Sequence, residues 1–262
     1  MPTCGYARVG TACALLFHQS FSSRRIADRD HIDLPDARLL LCEGRCVDGT
    51  RRRRQTPRLD APGDGEVEVM GFSRAELEGF RGGSLPDLLG PRTRLLFVGV
   101  NPGLSAVALQ AHFPGRTNRF YPALYRAGIT DRLIDASSGF APGDPEYLTE
   151  RGVGITALVP KATARADELA PAELVAGAVD LAETVGRVKP NVVAVLGITA
   201  FRIAFAMPKA RVGRQPGPFA GAQLWVVPNP SGLNAHSSLA DLAVAYREVA
   251  GAAGLELAPP AP

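Results

Sequence analysis

The sequence predicts an α/β fold, a three-layer α/β/α sandwich with a mostly parallel central sheet. Short apolar runs of strand length alternate along the chain with longer stretches of helical periodicity, the pattern of a parallel sheet covered by helices on both faces. Two of the runs, at 95–100 and 224–227, end in loops that contain Asn, Pro and Gly. Because ligands bind at the carboxyl ends of strands in such sheets, we expect these two loops to form opposite sides of one cleft.

Composition is compatible with one ordinary domain plus an extension. The chain has 262 residues, of which 46% are hydrophobic, and its formal net charge of +3 permits but does not establish binding to nucleic acid. The four cysteines stand at positions 4, 13, 42 and 46, without the spacing of a zinc or iron–sulfur site, so we expect no metal and no cofactor. The absence of later cysteines and of any membrane-length apolar run favours a cytoplasmic protein.

Residues 1–69 do not show the periodicity of a packed domain. The block Arg51–Arg54 is typical of a solvated, disordered segment. An arm that contacts DNA phosphates is a second interpretation. A third is that the segment does not belong to the native protein, since Met70 is the only methionine between Met1 and Met207 and stands just before the domain pattern.

The first half of the domain contains one strand between two helices. Ser73 and Glu76 have the spacing of a capping box, which predicts a short helix. The apolar run that follows predicts a strand over 93–100. Helical periodicity covers 118–127, and the composition of 135–147, rich in Pro, Gly and Asp, predicts a loop.

The second half alternates strands and helices. The clearest helix is 171–188, because Pro171 stands at its start and Glu173 in its first turn. The other predicted elements, in order, are an apolar run at 153–159, a strand at 191–196, a helix at 197–206, a strand at 224–227, a helix at 239–253 and a loose tail at 254–262.

The tip of the first strand carries the strongest candidate for chemistry. Asn101 is the polar residue at that tip, and Pro102 and Gly103 then turn the chain into the next helix. A side chain at the carboxyl end of a strand is well placed to meet a ligand. The alternative is an ordinary Asn-Pro-Gly turn.

Two ordered motifs make the chain similar to a known family. The segments 99–105, Gly-Val-Asn-Pro-Gly-Leu-Ser, and 229–233, Asn-Pro-Ser-Gly-Leu, resemble the signatures of the mismatch-specific uracil-DNA glycosylases, which include the thymine-DNA glycosylases. Segments 113–121, 154–156 and 245–248 also look like this family. The resemblance covers roughly 73–251 and implies a uracil-DNA glycosylase-like catalytic domain at 70–253. It further implies a monomer that acts in base excision repair on double-stranded DNA containing G·U or G·T mismatches, and so a nucleoid-associated protein.

The same resemblance implies roles for individual residues. Asn101 corresponds to the residue that positions a water molecule, Phe113 to the aromatic on which the flipped base stacks, and Leu233 to the wedge inserted into the base stack. Pro102, Gly103 and Leu104 are expected to present backbone N–H groups at a helix start, where anions are favoured. The full expected base pocket is Gly99, Val100, Pro102, Gly103, Leu104, Ala106, His112 and Phe113, and the expected wedge group is Ser231, Gly232, Leu233 and Asn234.

The sequence leaves the roles of several residues undecided. Phe113 could be a core aromatic, His112 a solvated loop residue, and Arg116 and Arg119 could meet either phosphates or acidic neighbours. The chain departs from the family at Ala157, where several members carry Lys or Asn, and at Ala235, where bacterial members often carry Arg.

Two rival functions follow from these departures and from the fold class. One is a module of the same fold that binds damaged bases with little turnover. The other is an unrelated α/β nucleotide-handling enzyme, against which the absence of a phosphate loop and of a nucleophile elbow argues.

Overall fold

The computed structural model describes residues 71–260, so the predicted extension 1–69 lies outside the described residues. The described chain contains the strands β1 (Leu95–Gly99), β2 (Val153–Ala157), β3 (Val192–Leu196), β4 (Gly213–Phe219) and β5 (Ala222–Val227). They form one five-stranded sheet in the order β2-β1-β3-β5-β4. Strands β2, β1, β3 and β5 are parallel, and β4 pairs antiparallel with β5 at the edge. The predicted three-layer α/β/α class is confirmed.

Helices cover both faces of the sheet because the side chains of its strands point alternately to either side. The helices are α1 (Arg74–Glu78), α2 (Leu104–Leu109), α3 (Phe120–Arg126), α4 (Asp144–Glu150), α5 (Pro171–Val188), α6 (Ile198–Ala204) and α7 (Leu239–Ala252). Leu95 and Phe97 pack with α3, α4 and α7, whereas Leu96 and Val98 pack with α5 and α6. None of the helices within 71–260 has the length and apolar character needed to cross a membrane.

The longest helix, α5, has the bounds that the sequence predicts. It begins at Pro171, and the Glu173 carboxylate accepts a hydrogen bond from the Ala170 N–H at 2.9 Å. At Gly177 the helix passes so close to the chain after β2 that a Cβ would lie 2.1 Å from the Leu158 carbonyl oxygen. This close contact fixes the chain after β2 above the sheet, and that segment then enters the candidate site.

Two elements were missed by the sequence analysis. The edge strand β4 contains Gly and Pro residues, which are rare inside sheets but tolerated at an edge with an irregular register, here between Arg214 and Pro218. Helix α4 begins at Asp144, inside the predicted loop 135–147. Pro145 indicated a loop in the sequence, but in the structure it stands in the first turn of the helix, where Pro is accepted.

The predicted loose tail is wrong as far as Ala258. Leu255 is buried, and the Ala258 N–H donates to the Gly128 carbonyl oxygen at 2.8 Å. Arg247 also donates to the Ala258 carbonyl oxygen at 3.0 Å. The chain after α7 therefore packs against the domain.

A chain that begins at Met70 should keep its fold and its activity. The sheet and both helical layers are built from residues 71–260, and the segment before them lacks the sequence pattern of a packed element. Thermal unfolding followed by circular dichroism should stay cooperative, with at most weaker DNA binding at low salt. Loss of a cooperative transition in the shortened chain would show that the extension is part of the core.

Candidate active site

A cavity of about 560 Å³ opens at the carboxyl ends of the parallel strands. The loops after β1 and β5 both line it, because these two strands flank β3 in the sheet. This is the arrangement that the two Asn/Pro/Gly loops predict. The residues that line the cavity include Asp87, Gly99, Asn101, Ala106, His112, Phe113, Ala157, Thr163, Leu233 and Asn234.

Asn101 stands half-buried in this cavity with its side-chain amide held in one orientation. Its Nδ2 donates to the Lys161 carbonyl oxygen at 3.0 Å and to Thr163 Oγ1 at 2.8 Å. The carbonyl can only accept, and the Thr163 hydroxyl already donates to the Arg165 carbonyl oxygen at 2.7 Å. The nitrogen of Asn101 must therefore face these partners, which leaves Oδ1 as an acceptor with no hydrogen bond from residues 71–260.

The segment after β2 provides both of these partners. Its backbone continues alongside the end of β1, since Leu158 N–H donates to the Gly99 carbonyl oxygen at 2.9 Å and Val159 N–H to that of Val100 at 3.0 Å. Thr163 N–H reaches the Pro102 carbonyl oxygen at 3.3 Å. The sequence analysis missed Thr163, and the segment around it carries no motif that could have indicated it.

Helix α2 starts directly after Asn101. Its N-cap is Gly103, which makes no side-chain cap, and Pro102 has no N–H, so only Gly103 and Leu104 can supply the expected backbone donors. The Leu104 side chain packs with Leu77 and Ala162 and does not line the cavity, so only the backbone N–H of Leu104 is placed to contribute to the predicted pocket. One turn later, Ala106 is buried and does line the cavity.

Phe113 both packs on the core and lines the cavity. Its ring centroid lies 4.2 Å from that of Phe120, and a Cβ at Gly99 would be 3.4 Å from the ring. The ring thus occupies the space that a glycine leaves at the end of β1. Phe113 has a φ of 51°, a left-handed conformation that costs about 1–3 kcal/mol in a non-glycine residue and that clusters at functional sites.

His112 is not the solvated loop residue that the sequence favoured. It is half-buried, it lines the cavity, and its Nε2 lies 3.0 Å from the Pro86 carbonyl oxygen, which can only accept. Its backbone oxygen accepts from the Tyr121 hydroxyl at 2.8 Å. Burial lowers the pKa of His112, against the opposing effects of the Pro86 hydrogen bond and the Asp87 charge, so the ring is neutral near pH 7.

The wall at the end of β2 carries a carboxylate. Thr156 Oγ1 donates to Asp87 Oδ1 at 2.7 Å, and Asp87 lines the cavity with an exposed side chain. Ala157 follows on the same wall and contributes no polar atom from its side chain. The sequence analysis did not select Asp87, because nothing in its local sequence indicates that it pairs with a strand 69 residues away.

The loop 228–238, here called the wedge loop, ends β5 and leads into α7. Leu233 is 91% exposed, more than any other large hydrophobic residue of 71–260. Gly232 does not line the cavity but lies against Thr117, whose Cβ would be 2.8 Å from a Cβ at Gly232. The Asn234 N–H donates to the Ser231 carbonyl oxygen at 2.9 Å, and the Asn234 carbonyl accepts from Arg119 at 2.8 Å. Both backbone groups of Asn234 thus form hydrogen bonds within the protein, which orders the loop around Leu233.

The two arginines next to the cavity differ. Arg116 is exposed, and its side chain takes part in none of the hydrogen bonds or ion pairs found across 71–260. Arg119 is half-buried and donates to backbone carbonyls of the wedge loop. Acidic neighbours, one of the two partners expected from the sequence, are thus absent from the contacts of Arg119 within 71–260.

The sequence profile of the Uracil DNA glycosylase superfamily matches residues 86–250, which include all five strands, Asn101 and the wedge loop. The chain belongs to the uracil DNA glycosylase superfamily. Among solved structures it is similar to the solution NMR structure of "a putative Uracil DNA glycosylase" from Methanosarcina acetivorans. That similarity has 14% sequence identity and a TM-score of 0.44, and it covers 63% of this chain and 96% of the other.

For a uracil DNA glycosylase superfamily member, the cavity offers the parts that N-glycosidic hydrolysis needs. Asn101 presents a fixed acceptor, Phe113 an aromatic surface, and the start of α2 backbone N–H groups. Within the described part of the chain, no three His, Cys, Asp or Glu side chains are grouped to hold a metal ion. The assignment to this superfamily indicates a DNA glycosylase that removes uracil from DNA.

Proposed function

We propose that this protein is a monofunctional DNA glycosylase that excises uracil opposite guanine, and more slowly thymine opposite guanine, in base excision repair. The observation that carries the proposal is the free Oδ1 of Asn101, held in the cavity by the hydrogen bonds of Nδ2. The products are the free base and an abasic site. We also propose that the protein acts as a monomer in the cytoplasm, on the chromosome, and needs no cofactor.

The reaction breaks the bond between N1 of the base and C1′ of the sugar. The bonding electron pair leaves with the base, the oxygen of a water molecule bonds to C1′, and a proton of that water is released. Asn101 Oδ1 accepts a hydrogen bond from the water and so orients its oxygen towards C1′. An amide is too weak a base to take the proton early, so the mechanism is dissociative, with an oxocarbenium-like sugar and an anionic leaving base.

Access to the cavity requires that the nucleotide leave the duplex. The base then stacks on Phe113, and stacking on an aromatic ring is typically worth about 1–3 kcal/mol. The exposed Leu233 fills the space left in the helix. A mismatched uracil costs less to unpair than one opposite adenine, which favours G·U over A·U.

Ala106→Ser should reduce release of thymine from G·T more than release of uracil from G·U. Ala106 lines the cavity. A serine hydroxyl at this position would reduce the space for the 5-methyl group of thymine and would face that group without a hydrogen-bond partner. A change of this size is worth about 1–3 kcal/mol, or roughly 5- to 150-fold. Single-turnover rates on the two duplexes measure the ratio. Equal losses on both, or no G·T activity in the wild-type protein, would contradict this assignment of the pocket.

The proposed activity is tested by base release from four substrates with enzyme in excess. Duplexes with G·U, G·T and A·U and a single strand containing uracil are incubated with the protein, cleaved at abasic sites with alkali and separated on a gel. We expect G·U to react fastest, G·T more slowly and A·U less well than G·U.

Two other outcomes would select the rival functions. Tight binding to the G·U duplex without base release would identify a damaged-base-binding module. Ala157 and Ala235 favour this candidate, because at both positions other mismatch-specific glycosylases often carry a polar side chain. Neither binding nor release with any of the four DNAs would point to an α/β enzyme with another nucleotide substrate.

A further inference from the structure

Arg119 makes more hydrogen bonds to the wedge loop than any other side chain of the described chain. Its Nη2 donates to the carbonyl oxygens of Ser231 at 2.9 Å and Asn234 at 2.8 Å. Its Nε reaches the Pro230 carbonyl oxygen at 3.4 Å, and Nη1 donates to that of Ser237. One guanidinium thus binds four carbonyls spread over eight residues of a loop that contains no regular secondary structure.

The same residue is joined to the other side of the cavity. Arg119 is the N-cap of α3, and its backbone N–H donates to the Pro230 carbonyl oxygen at 3.0 Å. The next residue, Phe120, is fully buried and lies against Phe113. Thr117 contacts Gly232. The short segment 117–120 therefore connects the aromatic wall of the cavity to the loop that carries Leu233.

The contacts of Arg119 differ from those of an ordinary surface arginine. It takes part in none of the ion pairs between residues 71 and 260, and all of its hydrogen-bond acceptors are backbone carbonyls. A guanidinium suits this task, because its five N–H groups stand in a fixed planar array. The hydrogen bonds order the loop in the free protein, so this ordering need not take place when DNA binds.

We infer that Arg119 is a positioning residue for the wedge: it holds the wedge loop in the form in which Leu233 projects beside the cavity, and it thereby sets activity on duplex DNA. The inference rests on the proposed glycosylase function and adds to it a residue that touches neither the base nor the water. It predicts a defect confined to substrates whose base must be extruded from a duplex. Single-stranded uracil needs no wedge and should react normally.

Arg119→Ala should lower the single-turnover rate on a G·U duplex by roughly 10-fold or more, and change the rate on single-stranded uracil by less than about 2-fold. Arg119→Lys keeps the charge, but its compact head cannot reach four carbonyls, so an intermediate rate is expected. Arg187→Ala is the matched control, because it removes the same charge from an exposed side chain of α5 that does not line the cavity and forms no hydrogen bond or ion pair within 71–260. The affinity of each variant for the duplex is also measured at several salt concentrations. The slope of log K against log salt should be the same for Arg119→Ala and the wild type.

Amide hydrogen exchange of the free protein tests the same inference without any need for activity. Peptides covering 229–237 should exchange at least about 10-fold faster in Arg119→Ala than in the wild type, while peptides from β1 and β3 keep their protection. Equal rate losses on duplex and single strand, unchanged exchange in the loop, or an equal effect of Arg187→Ala would overturn the inference. If the wild type releases no base from any DNA, the proposed function fails, and the exchange data still decide whether Arg119 orders the loop.

Discussion

Asn101→Ala should reduce uracil release from a G·U duplex by roughly 100-fold or more, about 2.7 kcal/mol in activation free energy. The substitution removes the only side-chain atom at the tip of β1 that is fixed in orientation and free to accept a hydrogen bond from water. Binding of the duplex should hardly change, because the wedge loop and Phe113 are untouched. Single-turnover rates and a fluorescence-anisotropy titration with the same duplex measure the two effects separately.

Thr163 offers a matched variant for this experiment. Thr163→Val keeps the shape of the side chain but removes the oxygen that accepts from Asn101 Nδ2, so the amide loses the shortest of its three hydrogen bonds, the other two being to the Lys161 and Pro102 carbonyl oxygens. We expect a rate loss of about 10-fold that Thr163→Ser largely restores, since loss of a hydrogen bond of this kind costs about 0.5–1.5 kcal/mol. Wild-type rates for Asn101→Ala would exclude this residue from the mechanism, and wild-type rates for Thr163→Val would show that the amide needs no support from Thr163.

The parts of the site that the sequence predicts are those whose signal is local. Asn101 was identified because it stands at the tip of an apolar run, and Leu233 because its loop resembles a short family motif. The rule that ligands bind at strand ends connects the two loops. Likewise, α5 has its predicted bounds, because Pro171 and Glu173 both mark its start. Hydrophobic periodicity and caps need only a few neighbouring residues to be visible.

The parts that the sequence missed depend on contacts between distant segments. Thr163 meets Asn101 across 62 residues, and Arg119 meets the wedge loop across 111 to 118 residues. No local pattern around Thr163 or Arg119 indicates which distant segment its side chain will contact. The side chain of Leu104 also depends on such contacts: its position in the motif is next to the cavity, and the first turn of α2 directs the side chain into the cluster around Leu77.

Under the proposed mechanism Leu233 and Asn101 act at different steps, so their variants should fail in different ways. If base extrusion precedes hydrolysis, a change at Leu233 alters how often the base reaches the cavity, whereas a change at Asn101 alters what happens once it is there. In the structure the two residues belong to loops after different strands, β5 and β1, and line the same cavity. An assay that reports extrusion without chemistry can therefore separate them.

Leu233→Ala should lower the single-turnover rate on a G·U duplex by roughly 10-fold and leave the rate on single-stranded uracil unchanged. Leu233 is 91% exposed, so truncation removes almost no packing and should change the free energy of unfolding by no more than about 0.5 kcal/mol. The loss comes from the extruded state, in which the leucine side chain would otherwise replace the stacking of the missing base. Phosphate contacts remain, so the salt dependence of binding should be that of the wild type.

The fluorescence of 2-aminopurine placed beside the target uracil measures extrusion directly, since the probe brightens when its neighbour leaves the stack. With Asn101→Ala the signal should rise as in the wild type although no base is released, and with Leu233→Ala the rise should be much smaller. Val179→Ala is the matched control, because Val179 is a 63% exposed hydrophobic residue on α5, away from the cavity lining. A full fluorescence rise with Leu233→Ala, or a loss of the same size with Val179→Ala, would show that Leu233 does not act as the wedge.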